Sequence, residues 1–183
     1  MGWQEYCFEG VWTFTPEKWE DERGYFFESF NASTLPDELR HIQFVQDNEA
    51  QSQRNVIRGL HYQLPPYAQS KLVRCVQGGI MDVIVDIRPG SDTFGRHCCI
   101  YLDDILKMQL FVPQGFAHGY VVLSNTAIVS YKCDNYYNPK YEGGLLFNDP
   151  VLAINWKLMY GVQPIVSEKD LKLPGLKDYK PFI

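Results

Sequence analysis

The run Gly78-Gly79-Ile80-Met81-Asp82-Val83-Ile84-Val85-Asp86-Ile87 constrains the fold of this chain more than any other segment. Met81, Val83, Val85 and Ile87 fall on one side of an extended backbone, and Asp82 and Asp86 fall on the other. A period of two residues belongs to a β-strand. It predicts a sheet with one apolar face in the core and one face lining a polar cavity. The paired glycines ahead of it predict a tight turn.

The rest of the chain repeats this theme on a smaller scale. Extended runs are expected at residues 11–15, 25–30, 44–48, 55–63, 71–76, 97–102, 109–112, 119–124 and 127–131, each rich in strand-favouring residues. Residues 17–21 read as a polar linker to an Arg23-Gly24 turn, and Asn138-Pro139 and Gly143-Gly144 read as breaks. After Trp156 the pattern weakens, and residues 167–171 predict one helical turn with Ser167 as N-cap and Asp170 at its third position. Many short strands at regular spacing predict an all-β antiparallel barrel or sandwich, with few short helices, mainly C-terminal. A length of 183 residues without a repeat or a change in composition fits a single domain, residues 1–183.

Charge and cysteine content narrow the partners. The net charge of −5 argues against broad nucleic-acid binding, which needs a basic face, but leaves room for a small anion on a local Arg/Lys cluster. Cys7, Cys75, Cys98, Cys99 and Cys133 make an odd set without a CxxC pair, so free thiols in a reducing compartment are expected. No stretch approaches the roughly 20 apolar residues of a membrane span, and no charged leader precedes an apolar core. A cytoplasmic location without membrane contact is the expectation.

Two histidines stand in chemically suggestive settings. His61 lies in Arg58-Gly59-Leu60-His61-Tyr62-Gln63, ten residues before Lys71. A neutral imidazole beside fixed cations suits proton abstraction, and the same cations suit an anionic substrate or an enolate. His118 closes Pro113-Gln114-Gly115-Phe116-Ala117-His118, the PxGxxH spacing of the second sequence block of cupin barrels. A cupin metal centre also needs HxH in its first block, and here that place reads His61-Tyr62-Gln63. With one imidazole where two are required, metal-free acid–base chemistry is expected. GxGxxG, GxxxxGK[ST] and GxSxG are all absent from the sequence, which removes most of the case for dinucleotide, phosphoryl-transfer and serine-hydrolase chemistry.

The ordered series DERGYFFES, FVQDN, NVIRGLHYQ, KLVRC, DVIVDIR, FVPQGFAHGY, YKCDNYY and EGGLLFNDP resembles the dTDP-4-dehydrorhamnose 3,5-epimerase family over most of the chain. The resemblance implies a cupin-type jelly roll and a cofactor-independent isomerase acting on a nucleotide-linked 4-keto-6-deoxy sugar. It also implies a homodimer whose N-terminal strands cross to the partner. His61 would remove the proton beside the C4 ketone, and Tyr131 would return one from the opposite face. Asp170, in SEKD, would pair with His61, and Lys71 would lie near the ketone oxygen. His118 would sit in the pocket, and Arg23, Arg58 and Lys169 would hold the pyrophosphate and sugar. Tyr137 would stack on thymine, with Glu28, Gln46, Asp47, Asn48 and Glu142 completing the pocket.

Alternatives stay open at this level. A strand histidine is ordinarily a hydrogen-bonded structural residue, Tyr131 and Tyr137 could be packing aromatics, and Asp170 could be a solvated charge. Asp82 competes with Asp170 as the partner of His61. The loop at residues 64–70, with Pro65-Pro66 and Tyr67, could reshape the mouth beside His61. An epimerase of one carbon only, on a related deoxysugar, would use the same base, acid and ketone. A non-catalytic cupin that senses a nucleotide sugar would not need a proton donor at Tyr131.

Overall fold

The computed structural model describes residues 2–183. Six strands form one antiparallel sheet: β1 (Gly2–Glu5), β2 (Trp12–Thr15), β5 (Gln46–Gln53), β7 (Lys71–Gln77), β10 (Gln109–Val112) and β12 (Thr126–Cys133). Five form a second: β6 (Ile57–Gln63), β8 (Gly79–Asp86), β9 (His97–Asp103), β11 (Phe116–Val122) and β13 (Glu142–Gly144). A separate hairpin pairs β3 (Lys18–Asp21) with β4 (Gly24–Phe27). The two sheets close on one another as the jelly roll expected of an all-β chain.

The interior is the apolar space between the sheets, filled by side chains such as Val73, Ile80, Ile84, Leu102, Leu110 and Val129. A second core covers the outer face of the five-stranded sheet. There Met81, Val83, Val85 and Ile87 meet Leu145, Phe147, Leu152, Trp156 and Leu176 from the C-terminal segment. Burying each such side chain contributes roughly 1.5–3 kcal/mol, enough to hold a segment that has almost no regular secondary structure. The indole N–H of Trp156 donates to Phe147 O at 2.7 Å, and Asp149 accepts from the Val151, Leu152 and Leu176 N–H groups.

Several expectations are corrected here. The charged residues 18–21 are not a linker but strand β3, paired with β4. Gly143-Gly144 is not a break: Gly143 and Gly144 pair with Tyr62 and His61 as part of β13. Among the described residues, two of the three short 3₁₀ turns lie early, at Ala32–Thr34 and Asp37–Leu39, so helix is not mainly C-terminal. Neither face of β8 is a purely polar wall, because Ile80 and Ile84 share the inner face with Asp82. The loop at residues 64–70 packs on the 135–141 segment, which carries Tyr137, with Tyr67 and Tyr141 rings 4.8 Å apart and Asn135 donating to Pro66 O.

One irregularity bears on the site. Between β6 and β11 the register runs His61↔His118 and then Arg58↔Tyr120, so Gly59 and Leu60 together oppose Gly119. The backbones approach so closely that a Cβ on Gly59 would lie 2.6 Å from the Gly119 Cα, and Gly59 also has φ +120°. Only glycine fits both demands. This β-bulge re-aims the side chains on either side of it.

Candidate active site

A cavity of about 530 Å³ opens between the sheets and is lined by Arg58, His61, Lys71, His118, Tyr120, Tyr131, Lys169 and Asp170. That volume suits a small organic ligand. His61 and His118 come from the five-stranded sheet, and Lys71 and Tyr131 come from the six-stranded sheet. The imidazole of His61 and the phenol of Tyr131 therefore stand on opposite walls.

The sequence folds to this arrangement for local reasons. Tyr131 and Asn48 are cross-strand partners, as are Cys133 and Lys71, which sets the phenol and the ammonium on neighbouring strands of one wall. Asp170 arrives from the C-terminal segment. Ile165 bridges Val56 through backbone hydrogen bonds to the Ile57 N–H and Asn55 O, bringing that segment against β6. The Asp170 N–H then donates to Ser167 Oγ at 3.1 Å and the Leu171 N–H to Ser167 O at 3.0 Å, a serine-capped turn as expected.

The result is an imidazole held from below. His61 Nε2 lies 2.7 Å from Asp170 Oδ1, and the Gly59 N–H donates to Asp170 Oδ2 at 3.4 Å. Asp170 is only 4% exposed. Burial would raise its carboxyl, but the bonds from His61, Gly59 and Ser167 outweigh that and hold it below the ordinary aspartate range. Lys71 is pushed below the ordinary lysine value by burial, against the pull of Cys133, Asp82 and Glu142. Burial pushes the phenol of Tyr131 up to about 12.

At the mouth a chain of polar contacts joins Lys169 to four more residues. Lys169 Nζ lies 2.6 Å from both Glu142 carboxylate oxygens, and the Tyr137 hydroxyl donates to Glu142 Oε2 at 2.8 Å. The Tyr137 N–H donates to Gln46 Oε1, and Gln46 Nε2 donates to Asn48 Oδ1, both at 3.0 Å. Burial would raise the Glu142 carboxyl, but Lys169 and Tyr137 hold it low. Arg58 donates from Nε to Ser52 Oγ at 2.9 Å, which fixes its guanidinium on the cavity wall.

Three expected residues are elsewhere in this chain. Asp47 points to the other side of its sheet, where Lys132 Nζ contacts it at 3.0 Å; strand alternation puts Gln46, Asn48 and Ala50 on the cavity side instead. Arg23 is on the β3–β4 hairpin, paired with Asp21, and Glu28 follows that hairpin and accepts from Asn31. Asp82 does not hold His61; it holds His118, with Asp82 Oδ2 2.8 Å from His118 Nε2. Tyr120 and Ser167 also line the cavity. Tyr120 was legible from strand alternation two residues beyond His118, and Ser167 from its capping position. Among the described residues no three His, Cys, Asp or Glu side chains cluster in a way that could hold a metal ion, and no helix is long and apolar enough to cross a membrane.

A jelly roll with a carboxylate-held imidazole, a facing phenol and a buried ammonium in one cavity defines a cupin-type acid–base isomerase. A family profile described as dTDP-4-dehydrorhamnose 3,5-epimerase matches residues 5–178. The enzyme of that name from Shigella flexneri is 45% identical over 174 residues, covering 94% of each chain. Among solved structures, dTDP-4-dehydrorhamnose 3,5-epimerase from Elizabethkingia anophelis superposes with a TM-score of 0.89 at 46% identity, covering 97% of each chain. A Legionella pneumophila dTDP-6-deoxy-D-glucose-3,5-epimerase, solved in complex with dTDP-4-keto-L-rhamnose, has a TM-score of 0.89 at 42% identity, covering 96% of this chain and 93% of that one. The chain belongs to the dTDP-4-dehydrorhamnose 3,5-epimerase family.

Proposed function

We propose that this protein, residues 1–183 as one unit, epimerises dTDP-4-dehydro-6-deoxyglucose at C3 and C5, giving the 4-keto precursor of dTDP-rhamnose. The observation that carries the reading is the His61–Asp170 contact of 2.7 Å in the cavity that Tyr131 and Lys71 line from the opposite sheet. A carbon beside a ketone loses its proton only if the enolate oxygen is stabilised, and the Lys71 ammonium is the group suited to that. His61 takes the proton while Asp170 steadies the imidazolium that forms. Inversion requires an acid on the other face of the sugar, and Tyr131, on the wall facing His61 with its phenol protonated through neutral pH, is the group suited to it. Arg58 and Lys169 offer positive charge to the two phosphates, and Tyr137, half exposed at the mouth, offers a ring for the base. Since C3 and C5 both flank the C4 ketone, one base and one acid serve both centres when the ring turns over.

Solvent deuterium tests this directly. The wild-type protein in D₂O should label C3 and C5 of the sugar nucleotide, as read by NMR. Tyr131→Phe should keep proton removal but lose reprotonation from the far face, so label enters with little inversion. A Tyr131→Phe protein with the wild-type yield of epimer would reassign the acid, and label at one carbon only would reduce the activity to a single-centre epimerase.

The alkaline limb of the pH profile separates Lys71 from Tyr131. The Lys71 ammonium lies below its ordinary value and the Tyr131 phenol near 12, so rising pH neutralises the lysine first. Activity should decline at a pH below the ordinary lysine range, and Lys71→Arg should move that limb upward. A limb that stays in place in Lys71→Arg would assign it to another group.

We also propose a homodimer. The β3–β4 hairpin exposes Trp19, Tyr25 and Phe26, at 52%, 55% and 69%, and it carries Arg23 outside this chain's own cavity. Exposed aromatics on an isolated hairpin call for a covering surface, and a partner's cavity mouth is where Arg23 and Glu28 would act. Sedimentation at the mass of one 21.2 kDa chain would remove this proposal. The free thiols of all five cysteines and a metabolic nucleotide-sugar substrate support the cytoplasm as the compartment.

A further inference from the structure

The cavity holds a second imidazole–carboxylate pair. His118 stands opposite His61 across the β6–β11 pairing, and Asp82 Oδ2 lies 2.8 Å from its Nε2. Asp82 is fully buried, its same-face neighbours on β8 are Ile80 and Ile84, and its second oxygen meets no hydrogen-bond partner. A carboxylate in that position is a poor stabilising element. Taking a carboxylate out of water costs more than one hydrogen bond returns, and an aliphatic pair in place of Asp82 and His118 would pack at least as well. Fold stability does not account for Asp82, which leaves its effect on the ring it holds.

That effect follows from the chemistry of the pair. A carboxylate only accepts hydrogen bonds, so it selects the tautomer with the proton on Nε2. Nδ1 is then the nitrogen left for the cavity whose wall His118 forms, and in a neutral ring that nitrogen is an acceptor. A ketone oxygen cannot bond to an acceptor, whereas a sugar hydroxyl can. Lys71, a pure donor, is complementary in the opposite sense: it suits the ketone oxygen. A donor and an acceptor fixed on different walls of one cavity orient a keto sugar that carries an adjacent hydroxyl.

We propose that Asp82 is a positioning residue that fixes the Nε2–H tautomer of His118, so that Nδ1 accepts a hydrogen bond from a ring hydroxyl of the sugar. The inference rests on the epimerase reading for its substrate, but the tautomer is measurable without turnover. In protein carrying ¹⁵N-labelled histidine, long-range ¹H–¹⁵N correlation should show Nε2 of His118 protonated and Nδ1 bare. Asp82→Leu should lose the protected, carboxylate-bonded Nε2–H signal and raise KM about tenfold with kcat within about threefold of wild type, the signature of lost ground-state binding. Asp82→Asn keeps a carbonyl acceptor and should return KM to within about threefold. Asp82→Leu alone should lower thermal stability, because the buried His118 N–H loses its partner, whereas replacing both partners with leucine should leave stability unchanged or higher. With an analogue lacking the ring hydroxyl at C2 or C3, the KM penalty of Asp82→Leu should vanish for one of the two.

Protonated Nδ1 in the wild-type ring would overturn the proposal, whether or not any variant folds. So would Asp82→Leu with wild-type KM, or a KM rise of equal size on the parent substrate and both deoxy analogues. Failure of the epimerase reading would look different: no deuterium would enter carbon in the wild-type protein, while the His118 tautomer would still be read as Nε2–H.

Discussion

His61→Ala is expected to abolish deuterium entry at the carbons beside the ketone, lowering kcat by about 10²–10⁴-fold, while dTDP binds with nearly unchanged affinity. On the proposed reading the two effects separate, because the imidazole would act on the proton in flight while Lys169, Tyr137 and the charge at the mouth would hold the nucleotide. The structure adds a control. His61 is the side-chain partner of a buried carboxylate, at 2.7 Å, so alanine also strips Asp170 of its principal donor. Leaving a buried acceptor short of a partner costs about 1–3 kcal/mol, and more for a charged group. His61→Gln places an amide N–H near the position of Nε2, within reach of Asp170, and should recover much of that stability without recovering activity. Calorimetry and isotope exchange on both variants therefore distinguish a missing base from a damaged site. Wild-type exchange in either variant would show that another group removes the proton.

The parts of this molecule that sequence made legible are those governed by short-range periodicity. The alternation through Met81, Val83, Val85 and Ile87 marks a strand because side chains two apart must share a face. The same rule, applied to β5, separates Gln46 and Asn48 from Asp47, which faces Lys132. Motif resemblance singled out His61, Lys71, Tyr131 and Asp170, and the fold brings all four to one cavity. The pairing itself was not legible: His61 and Asp170 are 109 residues apart, and spacing carries no information at that range. Asp170 was the leading candidate for His61 and Asp82 its competitor, and the contact of Asp82 with His118 removes the competitor. Charge masked β3, since Lys18, Glu20 and Asp21 read as solvated residues; that hairpin is exposed on both faces, so no apolar alternation marks it. The C-terminal segment failed for a different reason. It covers a sheet with irregular backbone, so its buried residues, Leu145, Phe147, Leu152, Trp156 and Leu176, follow no period.

That irregular segment carries the second large effect. Asp170→Asn should lower kcat by about 10²–10⁴-fold while leaving dTDP affinity within a few-fold of wild type. The asparagine is nearly isosteric, but its one carbonyl oxygen replaces only one of the two acceptors: turned to the imidazole it leaves the amide NH₂ against the Gly59 N–H, and turned to Gly59 it leaves the NH₂ against His61 Nε2. In either orientation the variant loses the negative charge that, on the proposed reading, steadies the imidazolium as the sugar proton moves to His61. The wild-type carboxyl lies below the ordinary aspartate value in the folded protein, and the sign of its linkage follows. Its contribution to stability is fully present above the unfolded value, near pH 4, and is lost as pH falls from there through the lower folded value. Asp170→Asn lacks that dependence, so between neutral pH and the strongly acid range its melting temperature should fall less steeply than that of the wild type. Two measurements thus bear on one residue, a kcat at neutral pH and a stability slope at acid pH. A variant that keeps wild-type kcat would leave His61 without a working partner at Asp170, and a wild-type acid slope would mean that the carboxyl there is not held low by the imidazole.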